Sequence, residues 1–198
     1  MSTAAVVRSS PGQEWVLPSR GRVGMLSLIA AEAAIFTIFV VAYLFYIGKS
    51  ATGPTPRDVL EVPIFISICL LSSSLTIHLA VRALRDARVK EFGLWWFVTM
   101  TLAAIFLIGT GLEWHRMIFE KGLTVSTNLF GTTYYSLVGL HAFHVTFGLF
   151  VIALVMIFTF WGKVKPEHSE RVDVFSLYWH FVDVVWVIVF TVVYVIGR

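Results

Sequence analysis

The stretch YYSLVGLHAFHVTFGLFVIALVMIFTFW, from Tyr134 to Trp161, contains no Asp, Glu, Lys or Arg. A helix rises about 1.5 Å per residue, so about 20 mostly apolar residues cross the ~30 Å hydrocarbon core of a bilayer. Four further stretches meet that requirement: Gly24–Ile47, Val62–Leu84, Phe92–Phe119 and Val172–Ile196. A segment surrounded by lipid must satisfy its own backbone polar groups, so each is expected as a helix. The fold class that follows is an all-α membrane protein, a bundle of five transmembrane helices. Residues 24–198 form its single domain, after an N-terminal segment of residues 1–23.

The composition agrees. Of the 198 residues, 58% are hydrophobic and 14% charged, and the mean hydropathy is +0.83. A soluble domain carries about 25% charged residues, so this chain lacks the charge to cover a globular surface. The formal net charge of +3 comes without a Lys or Arg run, and no nucleic-acid partner is expected. The one cysteine, Cys69, sits in an apolar stretch and reads as a buried, inert thiol. The first 23 residues have no apolar run, so the first span is expected to act as the insertion signal, with no cleavable leader.

The breaks between spans have local causes. Gly48-Lys49-Ser50 and Gly53-Pro54-Thr55-Pro56 end the first span in a turn-rich loop. Pro63 falls in the opening turn of the second, where its missing N–H costs nothing. The short charged link Arg85–Glu91 makes the second and third spans an antiparallel pair, and Gly162–Arg171, with Pro166, joins the fourth to the fifth. There is no internal repeat, which argues against an inverted-repeat transporter.

Loop charge sets the orientation. One side carries Arg8, Arg20, Arg22, Arg82, Arg85, Arg88, Lys90, Lys163, Lys165 and Arg171; the other has Lys49, Arg57, Arg116, Lys121 and Arg198. The positive-inside bias places the N-terminus in the cytoplasm and the C-terminus outside. Trp15 with Trp95-Trp96, and Trp114 with Tyr134-Tyr135, are expected as interfacial belts at the two faces.

The functional candidates are ionisable residues inside the spans, where an unpaired charge costs from about 2.5 to over 10 kcal/mol. Glu32 is expected slightly to the cytoplasmic side of the midplane. Asp183 lies near the middle of the fifth span with His180 one turn before it, and His141 and His144 share a face of the fourth. Glu113 sits near the outer end of the third. These depths suggest an outer polar layer joining Glu113 to His141 and His144, and an inner one at Glu32, with His180 and Asp183 near it or paired locally. The residues alone allow polar glue between helices, a proton or ion pathway, or a metal site built from His141, His144, Glu113 and Asp183. Nothing singles out a haem-ligating histidine. Ala30, Ala31, Ala33, Ala34, Ser72, Ser73, Ser74, Gly109, Gly111, Gly139 and Gly148 are expected at close helix contacts.

Two motifs carry a resemblance. Tyr178-Trp179-His180-Phe181-Val182-Asp183-Val184-Val185-Trp186 resembles the last-helix signature of subunit III of haem-copper terminal oxidases, and Gly139-Leu140-His141-Ala142-Phe143-His144-Val145 resembles that family's G-x-H-x-x-H-V motif. Glu113-Trp114 and Phe130-Gly131-Thr132-Thr133-Tyr134-Tyr135 fall in matching order, and Glu32 stands where the family carries an intramembrane acid, although the usual preceding serine is Ala31 here. The likeness extends from Gly24 to the end of the chain.

The resemblance implies a short five-helix bacterial form of subunit III in the cell inner membrane, lacking two N-terminal helices of longer relatives. It implies a chain with no catalytic residue, no bound haem, copper or other metal, and no small-molecule substrate. It would pack beside subunit I, with subunit II nearby, those partners holding the haem and copper. A V-shaped cleft, between the first span and the rest or between two helix groups, would hold phospholipid. Glu32 corresponds to the family's buried carboxylate and is expected to influence proton uptake into subunit I, and Glu113, His141, His144, His180, Asp183 and Trp186 correspond to a structural polar network. The electron donor divides the family. Gly53-Pro54-Thr55, Asp58–Pro63 and the tail Phe190–Tyr194 resemble quinol oxidases, while a glutamate at position 32 favours cytochrome c. A nitric oxide reductase small subunit and a freestanding proton or ion transporter are the other readings.

Overall fold

Hydropathy located the helices, and capping chemistry extends them. The structure, a computed structural model, describes residues 19–50 and 52–197. Five helices are long and apolar enough to cross a membrane: α1 (Arg20–Tyr46), α2 (Ile64–Arg85), α3 (Val89–Phe119), α4 (Leu129–Phe160) and α5 (Ser169–Phe190). A π-helical stretch, Thr191–Ile196, continues α5. Arg8 and Trp15 of the N-terminal segment, and Arg198, lie outside the described residues.

The expected boundaries move outward at several ends. Ser19 caps α1, its Oγ accepting the N–H of Arg22, so the helix starts at Arg20 rather than Gly24. Asn128 caps α4, its Oδ1 accepting the N–H of Gly131 at 2.8 Å. The same amide donates to the carbonyls of Thr52 and Pro54, both at 3.1 Å, which fastens the α1–α2 loop to the start of α4. Within that loop a one-turn helix, Pro56–Val59, is closed by Thr55, whose hydroxyl and N–H both donate to Asp58. Those two bonds, the hydroxyl's first, hold the Asp58 carboxyl below its usual range. The link between α2 and α3 shrinks to Asp86-Ala87-Arg88, with Ala87 at φ 59°, and Arg88 pairs with Asp86 and Glu91 across the turn.

Packing follows from that tight hairpin. α2 and α3 run antiparallel against each other, α4 lies on α3, and α5 bridges α2 and α4. α1 packs on α4 and α5 and buries only Phe36 and Tyr43. Of the two places expected for a V-shaped cleft, between the first span and the rest or between two helix groups, the first is narrowed because α1 lies against α4 and α5. An apolar groove of about 270 Å³ remains, between Ala33, Phe36, Thr37 and Val40 of α1 and Phe181, Val184, Val185 and Ile188 of α5.

The small residues divide into two groups. At Gly148 a Cβ would stand 2.6 Å from the Trp179 indole, and at Gly109 it would stand 2.5 Å from the Ile66 side chain, so both glycines allow close helix approach. Gly111 has nothing within 4 Å of such a Cβ, and Ala30, Ala31, Ala34 and Ser72 are exposed, which corrects the expectation that they mark contacts. The aromatic belts need the same correction. Trp96 is fully buried and donates its indole N–H to the Ile152 carbonyl at 2.9 Å. Tyr134 and Tyr135 also point inward, Tyr135 donating to the Leu123 carbonyl at 2.8 Å. Depth along a helix does not fix the direction in which a side chain points. Trp161, exposed beside Lys163 at the C-terminal end of α4, has the position of a belt residue.

Replacing Gly148 by Ala is expected to destabilise the bundle by about 1–3 kcal/mol through overpacking against Trp179. Gly111→Ala should leave stability equal or slightly raised. Thermal unfolding of the two variants in detergent measures the difference.

Candidate functional site

The intramembrane candidates form three separate groups, each tying two or three helices. In the first, Nε2 of His144 on α4 lies 3.1 Å from Oε2 of Glu32 on α1. Because α1 begins at Arg20, Glu32 sits about 18 Å from that end and about 21 Å from Tyr46. His144 is likewise central in α4. Both residues therefore lie near the middle of their own helices. Nδ1 of His144 lies 2.7 Å from the Leu140 carbonyl. That oxygen can only accept, so Nδ1 carries a proton. A neutral ring then has only a lone pair at Nε2, and a carboxylate also only accepts. The contact needs one proton between the two groups, either on Glu32 or on a charged ring. Tyr178 of α5 donates to the His144 carbonyl at 3.1 Å and completes this group.

The second group joins α2 to α5. Ser74 donates to Oδ2 of Asp183, and its oxygen lies 2.9 Å from Nδ1 of His180. With the serine proton directed to Asp183, His180 is the donor to Ser74. Oδ1 of Asp183 is buried without a partner among the described residues. Two indoles strengthen the same seam: Trp179 donates to Ser73 at 2.8 Å and Trp186 to Ser67 at 3.1 Å.

The third group is near the C-terminal end of α3 and the N-terminal end of α4. Tyr194 donates to Oε1 of Glu113 at 3.2 Å, and the Tyr134 hydroxyl lies 3.3 Å from that of Tyr194. Glu113 is thus joined to α5 and α4 through tyrosines and not to His141, contrary to the expected outer layer. The π stretch carries Tyr194, a residue that sequence periodicity did not single out. His141 is fully buried and stacks on Trp186, with ring centroids 4.9 Å apart, and meets Phe106 edge-on at 5.8 Å. Its two ring nitrogens have no partner among the described residues.

The four residues proposed as a metal set go to four different partners: Glu32 for His144, Trp186 for His141, Tyr194 for Glu113 and Ser74 for Asp183. Among the described residues, no group of three or more His, Cys, Asp or Glu side chains converges on one point. Cys69 is buried and free, as expected. A further cross-helix group, not singled out from the sequence, is Asp173 of α5, which binds Arg22 of α1 at 2.9 Å and Arg85 of α2 at 2.6 Å.

This arrangement of named side chains can be compared with known proteins. The profile of the family described as cytochrome c oxidase subunit III matches residues 19–198. The chain belongs to that family. It is similar to cytochrome c oxidase subunit 3 of Alkalihalophilus pseudofirmus, 36% identical over 176 residues that cover 88% of this chain and 85% of the relative. It is also similar to cytochrome c oxidase subunit 3 of Bacillus sp. strain PS3, 32% identical over 98% of this chain and 95% of the relative. Quinol oxidase subunit 3 of Bacillus subtilis is 31% identical over 89% of each chain. All six residues of the polar network expected from the resemblance lie within the matched region, as does Glu32.

Ser74→Ala would leave Asp183 and His180 without their shared partner. It is expected to destabilise the protein by about 1–3 kcal/mol, whereas Ser72→Ala, exposed on the same helix, should change stability by less than about 0.5 kcal/mol. Thermal unfolding of both variants distinguishes a specific bond from a general loss of polarity.

Proposed function

We propose that this chain is subunit III of a proton-pumping haem-copper terminal oxidase in a bacterial cytoplasmic membrane, with its N-terminus in the cytoplasm and its C-terminus outside. It carries no redox centre. Its work is to stabilise subunit I and support proton uptake there, while subunits I and II hold the haem and copper. The match of the subunit III family over residues 19–198 carries this reading. The groove between α1 and α5 has the apolar lining to take a phospholipid acyl chain.

The Glu32–His144 pair supports the proton part of the proposal. Its geometry lets the two side chains share a proton near the middle of their helices, and the Glu32 side chain is 23% exposed at the edge of the bundle, where a neighbouring subunit can sense it. Glu32 then influences proton entry into subunit I without conducting protons across this chain. Cytochrome c is the proposed electron donor. A quinol donor is the second reading, favoured by relatives named quinol oxidase subunit 3.

Purification of the chain from its native membrane, followed by an optical spectrum, tests the assignment: haem-bearing subunits should accompany it. An isolated chain, or a homo-oligomer without haem, would point instead to a transporter. In the intact complex, Glu32→Ala is expected to slow oxygen consumption and shorten the active lifetime during turnover. Unchanged rate and lifetime, with this subunit fully retained, would refute the role given to Glu32. Activity with reduced cytochrome c and not with quinol is the expected donor result.

A further inference from the structure

The outward face of α2 carries Ile64, Ile68, Leu71, Leu75, His78 and Arg82, all exposed, at steps of four, three, four, three and four. This is the spacing with which one helix packs along another. His78 lies seven residues from Arg85, about 10 Å into the membrane from the inner end of α2. The other exposed ionisable side chains among the described residues lie in loops or within about one turn of a helix end. One turn further in, His180 of α5 uses Nδ1 toward Ser74, and its Nε2 makes no hydrogen bond among the described residues. The ring is half-buried at the margin of the same face.

Acyl chains offer nothing to either imidazole. Polar side chains at this depth characteristically meet other protein groups, because an unsatisfied one is costly in hydrocarbon. The outward face of α4 is the contrast. Phe143, Phe147 and Phe150 are exposed there without a titratable group, a surface that lipid solvates well.

We propose that the α2 face centred on His78, with His180 at its edge, docks against a membrane-spanning helix of a partner subunit. That helix presents a hydrogen-bonding side chain at the depth of the two rings. The proposal rests on the reading of this chain as part of an oxidase complex and names the side by which it joins.

A photoreactive benzoylphenylalanine placed at Leu75, and separately at Phe147, in the full chain within its native membrane tests this. Illumination should couple position 75 to a haem-bearing subunit, identified by haem staining and peptide mass, and position 147 to lipid. A haem-subunit adduct from 147 and only lipid, or a second copy of this chain, from 75 overturns the choice of face and leaves the oxidase reading intact. No adduct to a haem protein from either position overturns both. His78→Leu gives an independent readout. If lipid covers the site, the substitution preserves or improves retention of the chain during detergent purification. Docking predicts a several-fold loss of retention, with thermal unfolding of the isolated chain unchanged. Unchanged retention contradicts the proposal.

Discussion

A polar group inside the hydrocarbon core must find its partner on another helix, and α5 supplies most of those partners here. Trp179 and Trp186 reach Ser73 and Ser67, His180 and Asp183 share Ser74, Tyr178 binds the His144 carbonyl, and Tyr194 binds Glu113. Lipid tails are as apolar as leucine, so burial alone cannot choose among helix arrangements; hydrogen bonds and close packing must. Gly148 permits the approach that puts Trp179 in reach of α2, and the Trp186 ring that donates to Ser67 is also the surface on which His141 stacks. Removing α5 from this scheme would take the cross-helix bond from Ser67, Ser73 and Ser74 of α2, Glu113 of α3 and the His144 carbonyl of α4. α1, by contrast, makes one side-chain hydrogen bond to α4 among the described residues, Glu32–His144, sets Phe36 against the His144 ring at 4.9 Å, and leaves most of its remaining surface open to lipid.

The number and approximate limits of the spans were legible because hydrophobic length is a direct requirement of the bilayer. The ends moved where Ser19 and Asn128 capped helices beyond the apolar runs. Pairing was much less legible, since it depends on how each helix is rotated about its axis. Glu113 and His141 were expected together from depth, yet Glu113 faces Tyr194 and His141 faces Trp186. Ser67 did not stand out as a partner, and Ser73 and Ser74 had read as spacers permitting close contact. Each proves to be the acceptor or shared atom of a specific bond, because a hydroxyl small enough to sit between helices is also able to bond across them. Trp96 and Tyr134 were assigned to an interface by height alone, and their inward rotation overturns that.

The polar groups thus have two kinds of work. Those on the α2–α5 seam and at Glu113 bond across helices inside the bundle and hold it together. Glu32 and His144 also do so, but their contact can share a proton and lies at the edge of the fold. In the proposed assembly this edge, and not a path through the chain, is where subunit III acts on proton uptake, and electron transfer belongs to the neighbouring subunits.

The dependence of the bundle on bonds from α5 is tested most directly by double-mutant cycles on its two indoles. Trp179→Phe with Ser73→Ala, and Trp186→Phe with Ser67→Ala, would be compared with the single variants by thermal unfolding in detergent. The account predicts a favourable coupling of about 0.5–1.5 kcal/mol for each pair. Additive effects in both cycles would contradict it.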